Sequence, residues 1–176
     1  MPLAAPSPAT GCRNFPVGQG GWQGMTNTPG PRALTDGELS ALLAEQQFGI
    51  LATQKRNGRP HLATVVYRWD AATRTVRVST TADRAKPKQL ARDGNAAIHV
   101  QGPDVWTFAV AEGEAEVSAV TTEPGDEVGR ELLALLPVDA RPDDPTEFWE
   151  QQIAERRVVI RLKVDRLYGT ALDFTS

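Results

Sequence analysis

Beyond residue 34 the chain alternates apolar and polar positions with a period of two in run after run, the spacing of strands that turn one face to a core and one to water. Phe48 to Gln54 is predicted as a buried strand, Asn57-Gly58 as a hairpin turn, and His61 to Trp69 as the return strand. A tight connection over 70–74 leads into Thr75 to Ser79, so three consecutive antiparallel strands are expected. Ala96 to Val100 resumes strand character. After the Gly102-Pro103 break, Trp106 to Val110 and Glu112 to Val117 form one long alternating strand, bent or bulged near Gly113. In a sixth strand, Val158, Ile160, Leu162 and Val164 alternate with Val159, Arg161, Lys163 and Asp165. The pattern predicts a mainly β fold, a six-stranded antiparallel barrel with small flanking helices, whose closure removes the free edges of an open meander.

The interruptions carry helix signals. Thr35 and Glu38 have capping-box spacing, and Leu34 and Leu39 the spacing of a hydrophobic staple, which predicts a helix to about Gln46. A second helix is expected over about Lys86 to Arg92, with Pro87 tolerated in its first turn and Asp93-Gly94 as its stop. Thr122 to Leu136 suits a third, closed by Pro137. Asp144-Pro145-Thr146-Glu147 offers an N-cap, a first-position proline and an N3 glutamate for a fourth, which holds Phe148, Trp149 and Ile153. Between these two, residues 137–143 read as an exposed acidic loop. Residues 1–33 are rich in proline and glycine and show neither period, so they are expected to be a disordered extension before a single domain over 34–176. Met25 lies within that extension and is a candidate translation start.

Composition narrows the classes. A length of 176 residues fits one domain, the usual range being roughly 100–200. A net charge of -3 gives no chain-wide attraction to nucleic acid or to an anionic membrane, so any basic site must be local. Cys12 is the only cysteine, which leaves no disulfide framework or thiolate cluster within one chain and suggests a reducing compartment. No stretch approaches the roughly 20 apolar residues of a membrane span, and no signal peptide is recognisable. A cytoplasmic protein is expected.

Protein-borne catalysis is hard to find. His61 and His99 are the only histidines, and no serine-nucleophile elbow or zinc-ligand spacing occurs. His99 reads as a half-exposed strand residue, and Glu112, Glu114 and Glu116 as one solvated strand face. The run from Val76 to Leu90 is different: a strand ends in Ser79, Thr80 and Thr81 and passes into Arg84, Lys86 and Lys88 at the start of a helix. Hydroxyls, free backbone amides and these cations could seat a phosphate where the helix dipole also favours negative charge. An ordinary solvated basic helix start has the same composition, so both readings stay open on the residues alone. A chain with so few reactive side chains can act by holding a cofactor that brings its own chemistry.

Taken in order, Phe48-Gly49-Ile50-Leu51-Ala52-Thr53, Asn57-Gly58-Arg59-Pro60-His61, Val78-Ser79, Asp83-Arg84-Ala85-Lys86 with Gln89-Leu90, and Trp106 with Ala109-Val110-Ala111-Glu112-Gly113 resemble the pyridoxamine 5′-phosphate oxidase-like split-barrel family. Within it the chain is similar to the branch that binds the deazaflavin coenzyme F420, over about residues 34–170. The resemblance implies a homodimer of six-stranded split barrels with the cofactor ring between subunits. It implies an oxidoreductase that passes a hydride from reduced F420 to an unsaturated or conjugated small organic acceptor. Carried over position by position, it places Lys86 and Arg84 on the cofactor phosphate, with Ser79 and Thr80 supporting it. It sets His61, Ala63, Thr64, Val65 and Val66 beside the ring, partly through backbone groups. Trp106 falls where an aromatic residue lines the pocket from the partner chain, and could equally be barrel core. Lys88 would meet a polyglutamate tail or solvent.

Two departures shape the expectation. Arg166 to Leu172 lacks the arginine and histidine pattern with which pyridoxamine phosphate oxidases grip their substrate, which speaks against vitamin B6 oxidation. Ala63-Thr64-Val65-Val66 lacks an arginine that members binding flavin mononucleotide (FMN) often place there, which tilts the cofactor toward F420. The alternatives are an FMN-dependent oxidoreductase of the same fold and a non-catalytic carrier of either cofactor. Nucleic acid and membrane are not expected partners.

Overall fold

The computed structural model describes residues 30–172; the expected disordered extension, apart from its last few residues, Cys12 and Met25 lie outside them. The chain enters through a two-residue strand β1 (Arg32–Ala33) and a helix α1 (Asp36–Glu45). The capping box is formed: Thr35 Oγ1 accepts from Glu38 N, and Glu38 Oε2 accepts from Thr35 N at 2.8 Å. Strands β2 (Phe48–Gln54) and β3 (Pro60–Val66) make the expected hairpin. Then come β4 (Arg68–Asp70), β5 (Thr75–Thr81), α2 (Ala85–Leu90), β6 (Asn95–Gln101) and β7 (Phe108–Val117). Helices α3 (Glu127–Ala134) and α4 (Thr146–Ala154), with a 3-10 turn at Val138–Ala140 between them, precede a long last strand β8 (Arg157–Ala171).

All strand pairs are antiparallel, in the order β3-β2-β6-β7-β8-β5-β4, with β1 added to β8. Among the described residues eight strands replace the expected six, for two reasons, and the last strand is longer than expected. Arg32–Ala33 pairs with Thr170 and Ala171, so the sheet takes in two residues that the sequence assigns to the extension. The return strand breaks at Tyr67, and β8 runs on past Asp165 to Ala171. Tyr67 is buried, its hydroxyl donates to the carbonyl of Leu43 at 2.8 Å, and its amide donates to Gln47. Burial also pushes its phenol pKa up. This anchor bends the strand: the half before it pairs with β2, and the half after it crosses to β5 at the far end of the sheet.

Consequently β5 is not a third consecutive neighbour of β2 and β3; it pairs with β8. The barrel is closed by one bent strand rather than by a continuous ladder. Beyond the Arg68↔Arg77 pair, β3 and β5 form no ladder with each other, which leaves the barrel split between them. Gln89 of α2 reaches the paired residues Thr53 and His61 of the β2–β3 hairpin, accepting from Thr53 Oγ1 at 2.6 Å and lying 2.8 Å from His61 Nδ1.

One core fills the barrel. Leu39, Leu42 and Leu43 of α1, which packs on β4, β7 and β8, join Leu51, Ile98, Val100, Ile160 and Leu162 in it. The bend at Gly113 is a register shift between Glu112 and Gly113, and a Cβ at Gly113 would run into the carbonyl oxygen of Lys163. Helix α3 is shorter than its pattern suggests. Asp126 captures the amides of Thr122, Glu123 and Gly129, so the chain turns through Gly125 at positive φ before the helix begins. At α4 the Asp144 carboxylate accepts from Thr146 N one position off the expected register, leaving Pro145 as the N-cap residue.

Candidate functional site in the barrel split

The split is roofed. Helices α3 and α4 lie over the outer face of β5 and β8, where Val128, Leu132 and Val159 form a small second core. Beneath them is a cavity of about 450 Å³, within the roughly 300–1,000 Å³ of small-molecule sites. Thr64, Val65 and Val66 line one wall, Ser79 and Lys86 the opposite one, and Leu132, Leu135, Leu136 and Phe148 the roof. Because β3 ends the sheet, one row of its backbone amides and carbonyls faces the split without strand partners.

Lys86 is the electrostatic centre. It is half-buried, makes no hydrogen bond or ion pair among the described residues, and has its pKa lowered by burial and then by the Arg84 charge. An unpaired, partly desolvated cation beside a hydroxyl suits an anionic group such as a phosphate ester. Arg157, the first residue of β8, adds to it. It donates from Nη1 to Ser79 Oγ at 3.3 Å and pairs with Glu155 at 2.7 Å. It borders both this cavity and an adjoining groove of about 820 Å³ that holds Arg84 and Lys88. Helix α2 has only six residues, so these side-chain charges, more than a helix dipole, carry the attraction.

The remaining predicted residues are placed differently. His61 and Ala63 lie on the opposite face of β3 from Thr64 and Val66, with His61 held by Gln89. Thr80 alternates with Ser79 and is buried on the barrel side, so its side chain does not border the cleft. Trp106 sits on the β6–β7 connection, 54% exposed, which excludes the barrel-core alternative. His99 stacks on Phe108 at 5.4 Å. A groove of about 670 Å³ on another side, with Glu112, Glu114 and Asp165, contains none of the predicted site residues.

Arg157 and the helical roof were not foreseen. Arg157 directly precedes the alternating run that begins at Val158, but only the Thr81↔Arg157 register shows that it meets the end of β5. The outer face of the sheet adds a second feature. Phe48, Ile50, Leu62 and Val66 are exposed together across β2 and β3, and Tyr168 is exposed further along the same face. Val66 belongs to both this patch and the cleft.

A curled antiparallel sheet with a cationic split is the architecture of cofactor-binding split barrels. A family model described as pyridoxamine 5′-phosphate oxidase matches residues 35–171, and the chain belongs to that family. Among solved structures, a conserved hypothetical protein from Mycobacterium tuberculosis is 22% identical with a TM-score of 0.60, covering 78% of this chain and 85% of that one. A protein described as an F420 reductase is 22% identical with a TM-score of 0.54, covering 73% and 94%. An FAD-binding protein from Mesorhizobium loti is 18% identical with a TM-score of 0.56, covering 80% and 96%. These likenesses show the shared fold. No described helix is long and apolar enough to cross a membrane.

Proposed function

We propose that the protein is an oxidoreductase that uses reduced coenzyme F420 to reduce an unsaturated or conjugated small organic acceptor. The observation that carries this is Lys86, an unpartnered half-buried cation in a roofed cleft beside the free edge of β3. When bound, the deazaflavin supplies the hydride. Lys86, with Arg84 and the Ser79–Arg157 pair beside it, holds the cofactor phosphate. Thr64 to Val66 support the ring through the open strand edge, and the leucines and Phe148 of the roof exclude water. Holding both reactants in one dry, oriented site supplies much of the acceleration. The similarity to an F420 reductase and the missing arginine in Ala63-Thr64-Val65-Val66 favour F420 over FMN.

The working unit in this reading is a homodimer. A cluster of exposed large apolar side chains marks an interaction surface. Phe48, Ile50, Leu62 and Val66 make such a cluster, and a second copy seated on it would extend the cleft at Val66. Trp106, exposed on its loop, is available to the partner's cleft.

The test is binding of F420 and FMN side by side, followed by oxidation of reduced F420 in the presence of enones, quinones and tetrapyrroles. F420 should bind more tightly, and Lys86→Ala should weaken it about ten- to hundredfold, as expected for a charge-assisted contact of about 1.5–3 kcal/mol. Tighter FMN binding would move the protein to the flavin branch, and binding without turnover would make it a carrier.

A further inference from the structure

Gln152 is 92% buried on α4, being 8% exposed, and it borders the cleft. Its amide makes no hydrogen bond among the described residues and, unlike the water-excluded Trp149 Nε1, keeps access to the cavity. It lies one turn from Phe148, so the two share the helix face turned to the cavity. An unpaired amide open to a cavity is satisfied there by water or by the polar groups of whatever occupies it. Leucine would suit the surroundings of Leu132, Leu136 and Phe148 better. The other polar groups at the cavity are mostly engaged: Arg68 donates to Leu135 O, Arg77 to Asp70 and Glu131, and Arg157 to Glu155 and Ser79.

We propose that Gln152 is a ligand-recognition residue that pairs with the hydroxyls of a polyhydroxylated chain attached to the phosphate; this rests on the cofactor reading above. A primary amide offers a donor and an acceptor side by side. Phosphate oxygens only accept, so they would leave the Gln152 carbonyl unmatched, and an apolar ring surface would match neither atom. Neighbouring hydroxyls satisfy both. F420 and FMN each carry such a chain between ring and phosphate, so Gln152 discriminates phosphates that bear a polyol from those that do not.

The experiment compares wild type, Gln152→Leu and the nearly isosteric Gln152→Met for binding of F420, FMN and phenyl phosphate, a phosphate ester without hydroxyls. Losing two neutral hydrogen bonds should weaken the coenzyme that wild type binds by about tenfold. Phenyl phosphate affinity should change less than about twofold, and the Tm of both ligand-free variants should equal or exceed that of wild type. Unchanged coenzyme affinity in both variants overturns the proposal and leaves the cofactor reading standing. So does a parallel loss for coenzyme and phenyl phosphate, or a fall in Tm in both variants. If wild type binds neither coenzyme, the cofactor reading fails and this proposal fails with it.

Discussion

Arg157 and Ser79 meet across the β5–β8 ladder, with guanidinium Nη1 donating to the serine Oγ at 3.3 Å. The contact leaves the serine's own proton free to point into the cleft, and it brings a fixed cation to the border between the cleft and the Arg84–Lys88 groove. Arg157→Ala should therefore weaken a bound phosphate ester about tenfold, the lower end for a charged hydrogen bond. Its effect on stability should be small, because its ion pair with Glu155 is partly exposed. Calorimetric titration with phenyl phosphate and a thermal melt make the check. A large loss of Tm with unchanged affinity would assign Arg157 to the fold alone.

Lys86 sets the pH dependence. Burial and Arg84 lower its pKa from the ordinary 10.5, so it loses its proton earlier than a free lysine as pH rises. A phosphate monoester is already dianionic above about pH 7, so the ligand's own titration does not mask the effect. Phenyl phosphate affinity should fall in the alkaline range below 10.5, and Lys86→Arg should hold it flat there. For the ligand-free protein the sign is opposite. The unfolded chain binds the extra proton in this window, so this group's contribution to stability rises with pH. Affinity that stays constant up to 10.5 in wild type would show that Lys86 does not contact the anion.

Glu131 pins the roof. Its carboxylate accepts from Arg77 Nε at 3.1 Å and from Arg161 Nε at 3.0 Å, while Leu132 and Leu135, next along the chain, border the cleft. The carboxylate pushes the Arg161 pKa up. Glu131→Gln leaves two half-buried guanidinium groups underpaired and should destabilise the protein by about 1–2 kcal/mol, read from a denaturant midpoint. Coenzyme affinity should fall with it, because the apolar roof is no longer held against β5 and β8. Full affinity in a destabilised variant would mean that the roof plays no part in binding.

Local features were legible and long-range ones were not. The Thr35–Glu38 box depends on neighbours a few residues apart, and the Gly113 bend is marked by the glycine itself, though the Lys163 carbonyl that requires it lies on β8; both are present. The order β3-β2-β6-β7-β8-β5-β4 depends on pairings between distant segments, which a period of two does not encode. The alternation runs through Tyr67 without a mark, so the bend that opens the split was hidden. At the site, Ser79 and Lys86 stood out as a hydroxyl next to a cation. Arg157 and Gln152 come from segments about 70 residues downstream and become neighbours of the cleft only through the β5–β8 register and the packing of α4.

Acid should loosen the α1 and β4 ends of the domain. Hydrogen bonds from Arg32 and Thr35 lower Glu38 from 4.5 to about 2, and those from Thr73 and Arg77 lower Asp70 from 3.8 to about 2. Both carboxylates are therefore protonated in the unfolded chain before the folded one. The stability they contribute is complete above about 4.5 and is lost as pH falls toward about 2. Glu38 is exposed and Asp70 partly so, and salt should screen the ion-pair share of the effect. A Glu38→Gln, Asp70→Asn double variant should be less stable than wild type near neutral pH and should lose less on acidification, so that the two denaturant-midpoint curves converge. Parallel curves across that window would show that these two carboxylates do not govern the acid limb.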